Sequence, residues 1–293
     1  MCRTVTADPD RLHAHVAALE GPRHPVTASK ALRAACEYVA AQLAALGLAV
    51  ERRPFHFAGA EHSNVLGTMP GNEPERPRLL VGAHFDSVPG TPGADDNASG
   101  VAAMLEAARL LAGARLRATV EFVGFNLEEP QGLTYRVGSR AFAREAKRQG
   151  VRYAGALVLE MVGYTNAAPG SQVIPAALFW KRIPRSGTFL AAVGHPRSAQ
   201  LLREFALAAR NAAPDLSVIT FRSPLRGWLV PQTRLSDNAS FWDEGYPALM
   251  LTDTAFLRNP HYHTAGDRSE TLDFEFMALA TTAVAEAVRG MGE

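Results

Sequence analysis

The sequence is poor in cysteine and has no long apolar run. Only Cys2 and Cys36 occur among 293 residues, and Cys36 falls within an apolar helical pattern. This favours free thiols over a disulfide or a cysteine-based zinc site. No stretch reaches the roughly 18 apolar residues that span a bilayer, and the N-terminal segment lacks the apolar core of a secretory signal. We therefore expect a cytoplasmic protein with no membrane partner.

An excess of charge of one sign is also lacking. The 30 Lys and Arg residues and 29 Asp and Glu residues leave a formal net charge of +1, with no run of like charges. This balance argues against a broad nucleic-acid surface. Hydrophobic residues make up 47% of the chain and charged residues 20%, which is ordinary for a globular protein. No repeat and no linker is evident, so we expect a single domain over 1–293.

From residue 78 onward, apolar strand patterns alternate with amphipathic helix patterns. Strands are predicted at 78–83, 119–126, 155–161 and 248–252, after short extended segments at 49–57 and 63–69. Helices are predicted at 29–46, 99–111, 139–149 and 198–212, and from 237 and 271 onward. This alternation predicts an α/β fold, with a mixed, mainly parallel central sheet flanked by helices on both faces. The segment 165–185, rich in Pro, Gly and aromatic residues, is predicted to be a loop near the site.

Polar side chains follow several of these strands where each one ends. His84 ends the first, the pair Glu128-Glu129 follows the second, and Glu160 lies in the third. Ligands of open α/β sheets bind at the carboxyl ends of the strands, so these groups are expected to converge. Asp86, two residues after His84, points to the same side of an extended backbone. Its carboxylate is placed to accept the proton of a metal-binding imidazole.

Adjacent acids recur in the predicted loops. Asp95 and Asp96 precede a helix, where a lone acid would be an N-cap. Glu128 and Glu129 alone would be an acidic surface turn, and adjacent carboxylates repel unless a cation neutralises them. One glutamate of such a pair can bind a metal while its neighbour moves the proton of a metal-bound water.

Glu160 and two histidines complete the set of candidate ligands. A carboxylate inside the otherwise apolar run ALVLEMV is costly unless it has a partner. Near the C-terminus, the loop NPHYHT supplies His261 and His263. Spacing alone leaves the choice between these two histidines open.

Six motifs in this order resemble the co-catalytic zinc aminopeptidase family, which also contains glutamate carboxypeptidase and the glutaminyl cyclases. They are HFDS, GADDNASG, EE, LEM, SDNASFW and NPHYHT, and the resemblance runs from about Leu79 to the last helix. The early GPRHP segment is similar to the lead-in of a bacterial branch. The resemblance implies a zinc aminopeptidase-like fold and two Zn²⁺ ions per chain.

Carried over residue by residue, the resemblance implies the following roles. One zinc is bound by His84 and Glu160, and the other by Glu129 and His263, which selects His263 over His261. Asp95 bridges the two ions, with a cis peptide bond to Asp96. Glu128 is the general base, and Asp86 orients His84.

The sequence also departs from the family pattern. Glu160 stands where many relatives have Asp, and Asn238 stands where the SDH motif has His. No tyrosine lies just upstream to stabilise an oxyanion, which leaves Thr233, Arg234 or Tyr246 as substitutes. These departures bear on substrate preference and not on the metals.

The most favoured function is an aminopeptidase acting on peptide or amide bonds. A glutaminyl cyclase-like acyltransferase is the first alternative, although such enzymes generally lack the histidine that corresponds to His84. A carboxypeptidase or dipeptidase of the same family remains open. A non-catalytic binding module is disfavoured, because every implied ligand and the base are present. Oligomeric state is left open.

Overall fold

An eight-stranded mixed sheet runs through the chain. The computed structural model describes residues 6–178 and 181–293, so Cys2 lies outside the described residues. The strand order across the sheet is β1-β2-β4-β3-β5-β8-β6-β7. The strands are β1 (Ala49–Phe57), β2 (Ala60–Met69), β3 (Arg78–His84), β4 (Val120–Phe125), β5 (Tyr153–Leu159), β6 (Phe189–Gly194), β7 (Ser217–Arg222) and β8 (Ala248–Thr252). The helices are α1 (Pro9–Leu19), α2 (Ser29–Ala45), α3 (Gly100–Leu111), α4 (Val137–Arg148), α5 (Ala199–Ala212), α6 (Asn238–Asp243) and α7 (Phe274–Gly292).

The centre of the sheet is parallel. Strand β3 pairs in parallel with β4 and β5, and β5 pairs in parallel with β8. The hairpin β1–β2 joins one side antiparallel, while β6 runs antiparallel to β8 and parallel to β7. The predicted mixed, mainly parallel α/β fold is confirmed. The carboxyl ends of the four central strands therefore meet at one edge.

Two apolar cores cover the faces of this sheet. One contains side chains of α1, α2, α3, α5 and α7, and the other contains side chains of α4 and α6. Strand β3 is buried along almost its whole length, as expected for a strand covered on both faces. The polar side chains of β3, Arg78 and His84, lie at its two ends. In the described ranges, no helix is long and apolar enough to cross a bilayer.

Three elements escaped the sequence prediction. Helix α1 is one of them; its N-cap is Asp8, whose side chain accepts from the amide of Asp10, and it buries Leu12, Val16 and Leu19. The other two are strands β6 and β7, which lie on either side of the predicted helix 198–212. Edge strand β7 is largely exposed, so it carries little of the apolar signal that marks central strands.

Candidate metal centre

Side chains from five different segments converge at the carboxyl ends of the central strands. His84 is the last residue of β3, Glu129 follows β4, and Glu160 comes directly after β5. Asp96 lies in the helical turn Ala94–Ser99 that precedes α3, and His263 lies in the loop after β8. They form two groups of potential metal ligands, His84–Asp96–Glu160 and Asp96–Glu129–His263, and within each group the ligand atoms lie within 4.8 Å of one another.

The two groups share one carboxylate. Asp96 Oδ1 lies 3.4 Å from His84 Nε2, while Asp96 Oδ2 lies 3.1 Å from His263 Nε2. The remaining members complete each side: Glu160 Oε2 is 3.4 Å from His84 Nε2, and Glu129 Oε2 is 3.4 Å from His263 Nε2. Asp96 thus presents one oxygen to each group, which is the geometry of a carboxylate between two cations.

The expectation that Asp95 bridges the metals is wrong, because Asp95 belongs to neither group. Its side chain is buried on the other side of the turn, where it accepts hydrogen bonds from Gly163 N (3.0 Å) and Asn259 Nδ2 (2.7 Å). The backbone amides of both aspartates donate to Asp267 (2.7 and 3.1 Å), and this fixes the turn with the two side chains apart. The cis peptide bond likewise joins Asp96 to Asn97, and not Asp95 to Asp96.

The donor set fits divalent metal ions. Both ring nitrogens of His84, His263 Nε2 and Glu129 Oε1 are buried and make no hydrogen bond in the described part of the chain. Such unpaired buried polar atoms are costly unless something else satisfies them. Two imidazoles and three carboxylates are typical zinc ligands. Their formal charge of −3 also calls for cations at the site.

The pKa values of the candidate ligands reflect this crowding. Burial would lower the pKa of His84, but Glu160, Asp86 and Asp96 raise it well above its usual value. In the same way, Asp96 and Glu129 outweigh burial and raise the pKa of His263 to about 10. Burial and the charge of Asp96 raise the pKa of Glu129 to about 8. These shifts arise from the concentration of negative charge at the site, which bound cations would offset.

The predicted base and its neighbour lie against these groups. Glu128 is buried, its Oε1 has no hydrogen-bond partner among the described residues, and its Oε2 lies 4.0 Å from His84 Nε2. Burial raises the pKa of Glu128 well above its ordinary value, and the nearby acids Glu160 and Asp237 add to this. The site therefore favours a proton on this carboxylate, as expected of a group that accepts one.

Asp86 ties the first histidine to the glutamate pair. Its Oδ1 lies 3.5 Å from His84 Nδ1 and accepts from Glu128 N at 3.0 Å, while its Oδ2 accepts from Glu129 N at 3.1 Å. One buried carboxylate thus faces the far ring nitrogen of His84 and holds the backbone of both glutamates.

The C-terminal loop separates the two candidate histidines. His263 enters the second group, and the ring of Tyr262 stacks on it with centroids 3.7 Å apart. His261 belongs to neither group and lies edge-on to Tyr164, with ring centroids 6.1 Å apart. The geometry favours His263, as the family resemblance implies.

Two residues of the SDNASFW motif lie beside the centre and were missed as site residues. Ser236 Oγ donates to Glu160 Oε2 at 2.7 Å. Asp237 is fully buried, and neither of its carboxylate oxygens has a hydrogen-bond partner in the described ranges. Burial raises the pKa of Asp237 to about 7. The motif itself was the available signal, but spacing could not show which of its members face the metals.

The three suggested oxyanion donors do not converge on the metal groups. The Tyr246 hydroxyl donates to the carbonyl of Val151, and Arg234 pairs with Asp243. Thr233 donates to the carbonyl of Val230 and borders the apolar pocket described below.

Arg23, from the GPRHP segment, anchors the loop that carries the aspartates. Its guanidinium is buried and donates to the carbonyls of Phe85 (2.8 Å), Pro92 (2.9 Å) and Gly93 (2.8 Å). Burial lowers the pKa of Arg23 to about 10, although Asp86 and Asp267 oppose this. The N-terminal segment therefore fixes the end of β3 and the loop that leads to Asp96.

An apolar pocket opens beside Glu160. Its cavity volume is about 120 Å³, and Glu160 and Tyr262 form part of its wall. The segment 165–185 contributes apolar side chains to the wall, among them Val173, Leu178 and Ile183. The volume approaches that of apolar cavities that hold a benzene-sized group, about 150 Å³.

Comparisons with known proteins agree with this geometry. A family model described as Peptidase family M28 matches residues 64–288. The uncharacterized protein YfbL of Escherichia coli is 34% identical over 290 residues, which are 95% of this chain and 87% of that protein. Leucine aminopeptidase 1 of Trichophyton rubrum is 31% identical over 239 residues, which are 74% of this chain and 54% of the fungal protein. The chain thus spans about half the length of that fungal relative.

Solved structures share the fold. Legionella pneumophila LapB superposes with a TM-score of 0.77 at 18% identity, covering 98% of this chain and 72% of that one. Porphyromonas gingivalis glutaminyl cyclase superposes with a TM-score of 0.74 at 20% identity, covering 98% and 99%. The family resemblance seen in the six motifs is confirmed.

Proposed function

Because the chain belongs to Peptidase family M28, we propose that it is a two-zinc aminopeptidase that releases apolar N-terminal residues. The observation that carries the proposal is the shared carboxylate of Asp96, which faces one histidine-containing group with each oxygen. The names of the leucine aminopeptidase relatives support the same activity.

His84, Asp96 and Glu160 would hold one zinc ion, and Asp96, Glu129 and His263 the other. When bound, such ions lower the pKa of a water molecule and polarise a carbonyl group. The net charge of two ions and these five ligands is positive, which suits both a developing oxyanion and an uncharged N-terminal amine. His84 Nδ1 faces Asp86, which leaves Nε2 for the metal.

Glu128 is placed to move the proton of the reaction. It is buried beside both groups and is not needed as a ligand in either. Its carboxylate accepts the proton of the attacking water and returns it to the leaving amine. The hydrogen bonds from the amides of Glu128 and Glu129 to Asp86 hold this carboxylate in place.

The pocket beside Glu160 sets the preferred side chain. Its wall is mostly apolar, and its volume of about 120 Å³ has room for one aliphatic or aromatic side chain. Since Glu160 belongs to the first metal group, a substrate whose scissile carbonyl lies at the metals would place its N-terminal side chain here. A charged side chain would lose its hydration in the pocket without gaining a partner.

Digestion of a peptide library by the zinc-reconstituted protein, read by mass spectrometry, tests the proposal. We expect stepwise loss of apolar N-terminal residues and little release of Asp, Glu or Lys. Ammonia release from N-terminal glutaminyl peptides would indicate a cyclase instead, and loss of C-terminal residues would indicate a carboxypeptidase. No turnover with both metals bound would contradict the proposal.

Glu128→Gln is the matched variant for that digestion. It keeps the size of the side chain and removes the base, so turnover should fall by about 100-fold or more while the zinc content stays unchanged. Unchanged turnover would remove Glu128 from this role.

A further inference from the structure

A second cavity shares no wall residue with the metal groups, and its wall reaches the first residues of β3 and β5, Arg78 and Tyr153. It has a volume of about 620 Å³ and lies between α4 and the face of the sheet formed by β1–β5. This is within the range of small-molecule sites, about 300–1,000 Å³. Glu121 of β4 lies in its wall and is the sheet partner of Leu80 in β3. Along these two parallel strands, that pair comes four residues before the pair of Phe125 and His84. At about 3.3 Å per residue, Glu121 lies roughly 13 Å along the strands from the end that carries His84.

The walls of this cavity concentrate positive charge in a chain that is nearly neutral. Four arginines line it, against two glutamates, which leaves an excess of two positive charges. The arginines are Arg53, Arg78, Arg144 and Arg148, and the glutamates are Glu121 and Glu145. We name this cavity the arginine cleft.

Two of these arginines pair with carboxylates that lie outside the cleft. Arg53 Nη2 lies 3.1 Å from Glu51, and Arg144 Nε lies 3.7 Å from Glu244. The side chains of Arg53, Glu51 and Arg144 are 38%, 54% and 69% exposed, and such surface ion pairs contribute little. Arg53 Nε is buried and makes no hydrogen bond within the described residues. Both guanidinium groups can therefore reorient toward a bound anion at a small cost in free energy.

The floor of the arginine cleft is fixed and partly apolar. Glu121 is buried and accepts hydrogen bonds from Arg78 and from the hydroxyl of Tyr153. Phe55, Phe142 and Tyr153 add ring surface to the wall. A site with a few fixed polar groups over an aromatic floor is typical of small-molecule binding.

We propose that the arginine cleft binds a small organic dianion that carries phosphate or carboxylate groups on an apolar or aromatic body. The anionic groups would pair with Arg53 and Arg144, since planar guanidinium groups match phosphate and carboxylate oxygens in pairs. The body would lie on the rings of the floor.

Isothermal titration calorimetry on the full chain tests this binding. The probes are phenyl phosphate, a nucleoside monophosphate, phthalate and inorganic phosphate, at constant ionic strength. We expect a ring-bearing dianion to bind more tightly than inorganic phosphate, and tighter binding of the nucleotide or of phthalate would distinguish a phosphate from a carboxylate ligand. Binding of the preferred probe should weaken about tenfold or more in the double variant Arg53→Gln/Arg144→Gln.

The control double variant Arg203→Gln/Arg210→Gln removes the same charge from exposed positions of α5 and should bind as the unchanged protein does. Every titration is repeated after chelation, because anions also bind to zinc. Equal binding by both double variants, binding that disappears with the metal, or no binding of any probe would overturn the proposal.

Discussion

The two halves of the metal centre share Asp96 but differ in how they are built. The inner group, completed by His84 and Glu160, stands on the ends of two adjacent central strands, and the side chain of His84 is 1% exposed. The outer group, completed by Glu129 and His263, depends on a C-terminal loop, and the side chain of His263 is 29% exposed. A site carried by packed strands keeps its geometry better than one carried by a loop. We therefore expect the inner metal to bind more tightly than the outer one.

Replacing the shared carboxylate should have the largest effect. Asp96→Asn removes a ligand from both groups at once, so we expect zinc content below one ion per chain and a fall of about 1,000-fold or more in kcat/KM. Metal analysis of the dialysed protein, together with peptide hydrolysis, measures both.

Its neighbour is the matched control. Asp95→Asn changes a residue that faces Gly163 and Asn259 and not the metals. We expect this variant to keep two zinc ions. If the two variants behaved alike, Asp96 would lose its place as the single shared ligand.

Replacing the two histidines one at a time tests whether the inner and outer groups differ in zinc affinity. His263→Ala should lose the outer ion and keep the inner one, which leaves one zinc per chain. His84→Ala should lose the inner ion, and it should lower the midpoint of thermal unfolding more because it leaves buried carboxylates without a partner. Metal analysis and thermal unfolding distinguish the two variants. Equal loss of both ions from each would mean that the halves bind as one unit.

The contrast between Asp95 and Asp96 shows which parts of the site could be predicted from the sequence. Strand ends, and hence His84, Glu129 and Glu160, follow from apolar runs, because parallel strands must end at one edge. Which of the two adjacent acids in the turn faces the other candidate ligands depends on tertiary hydrogen bonds to Asp267, which lies far along the chain. No local pattern contains that information.

The apolar pocket could not be predicted from the sequence for a similar reason. Its wall combines the segment 165–185 with residues of β6, β7 and β8, and two of these strands were not predicted. The metal centre is built on strand ends, which local patterns reveal. The pocket is built where distant segments meet, so the preferred side chain emerged only from the fold.

Raising the pH should widen the difference in stability between the zinc-loaded and metal-free proteins. In the metal-free protein the pKa of Glu129 rises from 4.5 to about 8, and that of His263 from 6.5 to about 10. Groups with a raised pKa in the folded state stabilise it while protonated. That contribution declines for Glu129 as the pH rises from about 4.5 to 8, and for His263 from about 6.5 to 10.

Zinc requires the deprotonated forms of the same groups, so its affinity should increase over this range. Between pH 6.5 and 8 we expect the metal-free protein to lose stability and the apparent zinc Kd to fall by about tenfold or more. Thermal unfolding with and without chelator at each pH measures the first effect, and competition with a zinc-binding dye measures the second. A zinc Kd independent of pH would show that these protons are not displaced by the metal.

The smallest expected effect concerns the support of the inner group. Ser236→Ala removes the hydrogen bond of 2.7 Å to Glu160 while leaving every ligand in place. Loss of such an outer partner typically weakens metal binding by about 10–100-fold, and we expect the lower end because Glu160 is also held by its position directly after β5. Ser240→Ala is the control, since that hydroxyl pairs with Ser139 and not with a ligand. Competition with a chelator should show faster loss of the inner ion from Ser236→Ala alone. The alternative outcome is that both variants lose the outer ion first and to the same extent. Glu160 would then need no support from Ser236, and the rigidity of the inner half would come from the strands themselves.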